Sequence, residues 1–499
     1  MQFLKKYFGI FVVLFLSFWA IKPLFIPGFF PMHDDTQVAR VFEMGKALRD
    51  GMFPVRWVPD LGYGYGYPIF NFYAPLAYYV GGLFTVLGFD ALISTKIMMA
   101  VGVLLSGIFM YLLAREFWGE LGGIVSSLFY IYAPYHALDI YVRGDVAEFW
   151  AYAFVPLMFW GFFKVFKEAR LKYIVIGSLG YAGVILSHNL TAMMVTPFLI
   201  IVILLHCYIA YKNKKILNTY YLILTAILGL MLSSFYWIPA LLEMKHTNVL
   251  SQIGGGADFR DHFVCINQLW DSPWRFGGSI PGCIDGLSFK VGKLHIIATA
   301  LVMILFLFSH FFNKKVKYLN DIYHLSNGIW VIWFSIVGLL ISIFLMLDVS
   351  QPIWEAIPAI SFFQYPWRFS LLISFFSSLL CGSLILLLAE FKIKQFLTAV
   401  LLAIFILYFN IKLFMPQTIY QKTVNDYTSE KALKWEASKI SDEFLPPDFK
   451  IPKSEAEVAK KPIPFKETYV EKVSNLVSFV GALTLIIGII IFRAKKANQ

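Results

Sequence analysis

Charged residues are scarce in this sequence. Asp, Glu, Lys and Arg make up 15% of the 499 residues, whereas hydrophobic residues make up 59% and aromatic residues 18%. A soluble domain of this size carries considerably more charge. The composition therefore excludes a soluble globular protein and predicts a polytopic membrane protein.

Several common signatures are also absent. The sequence has no nucleotide-binding fingerprint, no Cys/His spacing typical of a zinc site, no internal repeat and no segment resembling a separate soluble domain. Any chemistry is therefore to be sought in the segments that connect the membrane spans.

Twelve apolar runs are long enough to cross a membrane, which predicts an all-α fold of about twelve transmembrane helices. The first run follows Lys5 and Lys6, as in a signal peptide. It lacks a small-residue cleavage site, so we expect it to remain as an anchor. The runs cover residues 7–27, 92–114, 120–135, 147–166, 172–188, 191–211, 216–238, 293–312, 328–347, 369–389, 395–414 and 474–492.

Lys and Arg clusters set the expected orientation, because short cytoplasmic loops collect positive charge. We expect both termini to be cytoplasmic in a plasma membrane. The net charge of +11 then reflects topology, and no nucleic-acid partner is needed to explain it. The clusters lie at residues 5–6, 115, 164–172, 212–215, 313–317, 392–394 and 493–496.

This orientation requires that the ambiguous apolar run at 68–88 does not cross. Its Gly, Pro, Asn71 and several Tyr residues suit a re-entrant or interfacial segment better than a lipid-facing helix. If the run does cross, the N-terminus lies outside and Asp34 lies in the cytoplasm.

Two adjacent carboxylates, Asp34 and Asp35, follow the first span beside His33. Asp34 and Gln37 match the capping-box pattern, which requires no chemistry. The second carboxylate and its neighbour His33 favour a functional site. On this stretch alone both interpretations remain open.

The residues after this acidic pair show helical periodicity. One face is apolar and the other is charged, so we predict an amphipathic helix lying on the membrane surface. The apolar face contains Val38, Val41, Phe42, Gly45 and Leu48, and the charged face contains Arg40, Glu43, Lys46 and Arg49.

A second ionisable cluster occupies the predicted external turn after the third span. Charged groups flanked by apolar helices are costly to place, which favours a functional site. The alternative is an ordinary turn in which Asp145 caps the helix that carries Glu148. The cluster consists of His136, Asp139, Arg143, Asp145 and Glu148.

Two further polar groups adjoin predicted spans. His188 could donate a hydrogen bond to a substrate, or it could be a structural histidine. Arg368 enters the tenth span beside Gln364 and Tyr365, where a guanidinium fork suits a phosphate. The alternative is that Arg368 snorkels to lipid headgroups.

The cysteines divide into two pairs. Cys207 and Cys381 lie in apolar spans, whereas Cys265 and Cys283 share the predicted external loop 239–292. The second pair could form a disulfide in an oxidising compartment, or it could remain as two free thiols.

In order and spacing, these motifs resemble the GT-C superfamily of polytopic glycosyltransferases. Within it they look like the membrane proteins labelled 6-pyruvoyl-tetrahydropterin-synthase-related, relatives of the YfhO type. The resemblance covers about residues 1–415, although no histidine triad supports the pterin label. It is carried by HDDTQVAR (33–40), GYGYPIFNFYAPLAYY (64–79), YVRGDVAEFWA (141–151) and QYPWRF (364–369).

The resemblance implies a GT-C-like module over 1–415, whose first external loop, 28–91, carries amphipathic and re-entrant helices. An external hydrophilic segment over 416–473 and a last span with a basic tail over 474–499 follow. The implied activity is transfer of a sugar from a polyprenyl-phosphate donor to a glycan, lipid or protein acceptor on the external face. The alternatives are a lipid-linked-sugar flippase or transporter and a non-catalytic scaffold of cell-envelope assembly.

The resemblance also implies roles for individual residues. Asp34 would be the catalytic base, Asp35 would assist it or bind a metal, and Asp145 and Glu148 would complete an acidic pocket. A Mg or Mn ion, if used, would bind Asp34, Asp145 and Glu148. The donor phosphate would be held by Arg143 and Arg368, and the substrate would be contacted by His33, His188 and Tyr365.

Overall fold

The computed structural model describes residues 2–212, 216–249, 257–312, 328–389 and 392–497. The basic clusters at 213–215 and 313–317 lie outside the described residues. The described residues are mainly helical, and three isolated bridges are their β-type pairings. The longer helices are α1 (Gln2–Leu16), α2 (Gln37–Arg49), α3 (Leu76–Val86), α4 (Ala91–Ile131), α5 (Val146–Glu168), α6 (Leu171–Ser187), α7 (Asn189–Lys212), α8 (Ile216–Glu243), α9 (Lys293–Phe312), α10 (Gly328–Met346), α11 (Ser370–Ala389), α12 (Gln395–Asn410) and α13 (Tyr469–Ala497).

Short helices connect these elements. The α-helical ones are Phe18–Ile21, Ile69–Phe72, Pro134–Leu138, Ile266–Trp270, Gln351–Ala356, Pro358–Ser361, Asn425–Thr428 and Ser438–Ile440. The 3-10 and π segments are Lys22–Phe25, Asp139–Arg143, Met244–His246, Phe259–Asp261, Asp348–Ser350, Pro366–Phe369, Ile411–Leu413, Ala432–Ala437 and Glu455–Glu457.

Nine helical stretches among the described residues are long and apolar enough to cross a membrane. The prediction of an all-helical polytopic membrane protein is confirmed. The stretches are Tyr7–Phe25, Ala91–Ile131, Val146–Glu168, Asn189–Lys212, Leu217–His246, Gly328–Met346, Pro366–Ala389, Gln395–Leu413 and Tyr469–Ile491.

The count differs from twelve for two reasons. Helix α4 covers two of the predicted spans, and its backbone leaves the helical region at Gly119, with φ of 72°. Two other predicted spans coincide with shorter apolar helices, α6 and α9.

The ambiguous run at 68–88 forms two short helices, Ile69–Phe72 and α3. Helix α3 has 11 residues. It is therefore about 16 Å long, against a hydrocarbon core of about 30 Å. Neither helix is long enough by itself to cross the hydrocarbon core. The re-entrant interpretation of this run requires helices of such short length.

Helix α2 does not expose its charged face as predicted. Arg40 is 4% exposed and Glu43 is 0% exposed, whereas Lys46 is half-buried and Arg49 is exposed. Helix α3 packs closely on it, and a Cβ added at Gly45 would overlap Thr85. The prediction of an exposed charged face is wrong for Arg40 and Glu43, because other parts of the chain cover them.

The chain divides into two units. The first unit contains Met1–Ile26, Val103–Arg143 and Ile253–Thr418. The second unit contains Pro27–Gly102, Gly144–Gln252 and Ile419–Gln499. Asp34, Asp35, Asp145 and Glu148, together with His33 and His188, belong to the second unit, whereas His136, Asp139, Arg143, Tyr365 and Arg368 belong to the first.

The first unit is built around α11, which is buried along almost its whole length. Helices α9 and α10 pack on α11, and Trp118 of α4 donates a hydrogen bond of 2.8 Å to the Leu379 carbonyl. A disulfide joins Cys265 to Cys283, with the Cα atoms 5.6 Å apart.

The second unit includes the hydrophilic residues 419–468, which we call the C-terminal segment. The segment packs against the first loop: Phe29 and Tyr420 exchange backbone hydrogen bonds of 3.0 and 2.8 Å. Further along, the Tyr63 amide donates to Ser438 at 3.0 Å, and Trp57 stacks on Phe465.

Candidate active site

Asp34 does not act as a helix cap. Helix α2 begins at Gln37 with Thr36 at the N-cap position, and no side chain caps it. The Gln37 side chain donates instead to the Gly144 carbonyl at 2.8 Å and accepts from the Tyr78 hydroxyl at 2.6 Å. The capping-box interpretation of Asp34 is therefore wrong.

Asp34 and Asp35 are half-buried, and His33 is exposed. Burial raises the pKa of Asp35, and the positive charge of Lys422 in the C-terminal segment opposes this rise. Carboxylates at such a boundary are accessible to a ligand and lie in surroundings less polar than water.

Asp145 caps helix α5, as one interpretation of the sequence predicted. Its Oδ1 accepts a hydrogen bond of 3.0 Å from the Glu148 amide. Asp145 is 4% exposed and Glu148 is 0% exposed. The start of α5 therefore carries two buried carboxyl groups that are three residues apart.

The α5–α6 hairpin brings His188 to these acids. Glycines of α6 let the two antiparallel helices approach closely, and a Cβ added at Gly180 would lie 2.6 Å from the Met158 nitrogen. His188 follows the last residue of α6 and therefore lies beside the first turn of α5. Its Nδ1 lies 2.8 Å from the Thr191 hydroxyl.

Asp145, Glu148 and His188 could hold a metal ion. All three are buried, and one potential ligand atom from each lies within 4.8 Å of the other two. Two carboxylates and an imidazole form a donor set suited to a divalent cation, and the contact between Thr191 and Nδ1 would orient the ring. The structure thus groups His188 with the two acids, whereas the sequence had suggested Asp34 as the third ligand.

Tyr73 connects this group to the first loop. The negative charges of Asp34 and Asp145 both help to raise the pKa of the Tyr73 phenol, although burial is the larger cause. The geometry agrees, because Gln37 donates to the Gly144 carbonyl at 2.8 Å and Met32 packs against Gly144. The loop that carries Asp34 and the turn that carries Asp145 therefore lie side by side in the second unit, and we call this region the acidic pocket.

Arg40 is a residue of this pocket that the sequence did not reveal. Its guanidinium carbon lies 4.2 Å from the centre of the Tyr73 ring. Its Nη1 is 3.4 Å from the Tyr78 hydroxyl and its Nη2 is 3.0 Å from the Ser441 hydroxyl. Periodicity placed Arg40 on an exposed face, and no local signal indicates that distant segments enclose it.

In the first unit, the two arginines predicted to bind phosphate are engaged by protein groups. Arg143 contacts Asp139 at 2.5 Å and Tyr135 at 3.2 Å, and it lies over the Trp367 ring. Arg368 is 8% exposed. Its Nη1 donates to the Phe363 carbonyl at 3.0 Å and lies 3.2 Å from Gln364 Oε1.

Tyr365 lies beside these groups in the first unit. Its ring stacks on Trp367, and the Arg368 guanidinium carbon lies 5.2 Å from the ring centre. His262 packs edge-on against the same ring.

Comparison with known proteins places the chain in a family. Residues 70–415 match the 6-pyruvoyl-tetrahydropterin synthase related domain, a membrane protein family. The chain belongs to this family. An uncharacterized protein of Lactococcus lactis subsp. cremoris (strain MG1363) is 26% identical over 246 residues, covering 47% of this chain and 39% of that protein.

Solved structures resemble this member of the pterin-synthase-related family more distantly. The Archaeoglobus fulgidus oligosaccharyltransferase, tethered with an acceptor peptide, is 14% identical with a TM-score of 0.46, covering 96% of this chain and 64% of that one. ArnT from Cupriavidus metallidurans, bound to undecaprenyl phosphate, is 12% identical with a TM-score of 0.34, covering 75% and 76%. The chain thus spans under two thirds of both the Lactococcus protein and the oligosaccharyltransferase. A function has to be argued from the site itself.

Only some residues of the pocket in this pterin-synthase-related protein lie within the range that the family model matches. Asp145, Glu148 and His188 lie within the matched residues 70–415. Asp34, Arg40 and the C-terminal segment lie outside them.

Proposed function

We propose that this membrane protein is a GT-C-type glycosyltransferase that moves a sugar from a polyprenyl-phosphate donor to an acceptor on the external face of the membrane. The observation that carries the proposal is the acidic pocket: Gln37 and Met32 join the loop that carries Asp34 to Gly144, the residue before Asp145, and Asp145 belongs to a buried group with Glu148 and His188.

Asp34 is the catalytic base in this proposal. As the oxygen of an acceptor hydroxyl attacks the anomeric carbon of the donor sugar, its proton passes to the Asp34 carboxylate. The bond between the anomeric carbon and the phosphate oxygen breaks, and the polyprenyl phosphate leaves with the electron pair. Asp34 suits this role because it is half-buried and remains accessible.

Asp145, Glu148 and His188 hold a divalent cation in this proposal, and Asp35 assists at the mouth of the pocket. The cation would supply positive charge that stabilises a phosphate leaving group. An imidazole ligand favours Mn²⁺ over Mg²⁺, because Mg²⁺ prefers oxygen ligands. The cap bond to Asp145 and the Thr191 contact to His188 fix two of the three ligands before any ion binds.

Arg143 and Arg368 remain our proposed ligands for the donor phosphate, and His33 and Tyr365 remain our proposed substrate contacts. Planar guanidinium groups match phosphate oxygens, and partial burial strengthens such bonds. Binding of the donor would have to compete with the protein acceptors that each arginine already has.

The test is a transfer assay with purified protein in lipid vesicles. Radiolabelled polyprenyl-phosphate sugars are supplied with Mn²⁺ and with lipid, glycan or peptide acceptors. Enzymatic transfer appears as label in the acceptor and free polyprenyl phosphate in the lipid fraction. Movement of intact donor across the bilayer without transfer would indicate a flippase and would contradict the proposal.

A further inference from the structure

The C-terminal segment reaches the acidic pocket through a chain of polar contacts. Ser441 Oγ donates to Glu443 Oε1 at 3.3 Å and accepts from Arg40 Nη2 at 3.0 Å. Arg40 Nη1 reaches the Tyr78 hydroxyl at 3.4 Å, and this hydroxyl donates to Gln37 Oε1 at 2.6 Å. Gln37 Nε2 donates to the Gly144 carbonyl at 2.8 Å.

The far end of this chain is the turn that carries the acids. The Gly144 carbonyl also accepts a bond of 2.9 Å from the Val146 amide, and Asp145 caps the Glu148 amide. The position of this carbonyl therefore affects the carboxyl groups of the first turn of α5.

Arg40 is the central member of the chain. Its side chain is 4% exposed, and it connects a hydroxyl of α3 to a hydroxyl of the C-terminal segment while lying on Tyr73. Ser441, the acceptor of its Nη2, in turn donates to the Glu443 carboxyl group. One planar group with several N–H donors can make these contacts together, which a single ammonium could not reproduce.

We propose that Arg40 is a positioning residue for the Asp145 turn, and that Ser441 of the C-terminal segment holds Arg40 in place. A segment outside the family match thereby adjusts a site whose buried acids lie inside it. An effect of this coupling on catalysis rests on the proposed function. The coupling itself concerns the protein alone and can be measured without substrate.

The test measures backbone hydrogen exchange over residues 144–150 by mass spectrometry in full-length protein. Tyr78→Phe removes the hydroxyl between Arg40 and Gln37, and Ser441→Ala removes the anchor in the C-terminal segment. Each should raise exchange in this peptide by about tenfold, the effect expected for losing one well-made hydrogen bond. Ser441→Thr retains a hydroxyl and should restore the wild-type rate.

Two matched controls separate positioning from general loosening. Tyr79→Phe removes a hydroxyl that accepts from the Val55 amide, and Ser438→Ala removes one that accepts from the Tyr63 amide. Neither should change exchange at 144–150. If the controls raise it equally, or if neither test variant raises it, the inference is overturned.

Transfer assays on the same variants distinguish this inference from the proposed function. If the inference and the proposed function are both correct, Tyr78→Phe and Ser441→Ala lower kcat more than they raise KM, and Ser441→Thr recovers the rate. Altered exchange in a protein that transfers no sugar supports the coupling and contradicts the proposed function. Active wild-type protein with unaltered exchange in the variants overturns the coupling alone.

Discussion

Gln37 donates a hydrogen bond of 2.8 Å to the carbonyl oxygen of Gly144. This bond connects the start of α2 to the residue before Asp145, so the loop after the first span and the turn before α5 are held together. The acids of the pocket come from these two places.

The first prediction concerns metal binding. His188→Ala should weaken Mn²⁺ binding strongly, because it removes the imidazole from the group with Asp145 and Glu148. Thr191→Val removes the hydroxyl that contacts Nδ1 and should cost about tenfold. Mn²⁺ affinity is measured by electron paramagnetic resonance, with the exposed His246→Ala as control. Equal affinity in all four proteins would exclude this metal site.

The second prediction concerns Glu43, which is fully buried and whose Oε2 accepts from the Asp60 amide at 3.3 Å. Burial and the nearby Asp60 carboxylate raise its pKa well above the usual range. A raised folded-state pKa means that the stability from the neutral carboxyl is fully present below the unfolded pKa, about 4.3, and is lost as the pH rises through the folded pKa.

Glu43→Gln should therefore match the wild-type Tm in acid and exceed it increasingly at neutral and alkaline pH, because the amide stays neutral. Thermal unfolding is followed across the pH range, with the exposed Glu436→Gln as control. A difference in Tm between Glu43→Gln and wild type that does not change with pH would show that Glu43 does not titrate as expected.

The third prediction concerns the disulfide. Cys265→Ser opens a loop with a sequence separation of 18 and should reduce the free energy of unfolding by about 3 kcal/mol. Cys207→Ser, in α7, alters a free thiol and should change it little. Mass spectrometry of protein prepared without reductant should show the linked peptide pair, and two alkylated cysteines there would refute the bond.

The fourth prediction separates two roles of Arg368. If it holds the donor phosphate with a guanidinium fork, Arg368→Lys keeps the charge and loses the fork, costing roughly 1.5–3 kcal/mol in donor binding. Arg368→Ala should lose more. Donor affinity is compared with that of Arg260→Lys, an exposed arginine of the first unit. Wild-type affinity in both Arg368 variants would remove this residue from the site.

The sequence predicted the helical membrane fold because length and apolar composition suffice to identify spans. The capping role of Asp145 was also predictable from the sequence, because acceptor and donor are only three residues apart. Interactions of this kind can be read from a short window.

The burial of Arg40 and the grouping of His188 could not be predicted in the same way. Arg40 is covered by Tyr78 and Ser441, which are distant in sequence. His188 meets Glu148 because α5 and α6 pack closely through glycines such as Gly180. The Gly177, Gly180 and Gly183 spacing was the available signal for this packing, and tertiary contacts decided the rest.

The most direct measurement is the transfer rate of Asp34→Asn, which keeps the shape of the side chain but cannot accept the acceptor proton. General-base catalysis contributes about a hundredfold or more. We therefore expect sugar transfer to fall by at least about that factor, while Tm and Mn²⁺ affinity stay at wild-type values. Asp50→Asn, an exposed acid just after α2, should transfer normally. Equal transfer by Asp34→Asn, Asp50→Asn and wild type would contradict the assignment of Asp34 as the base.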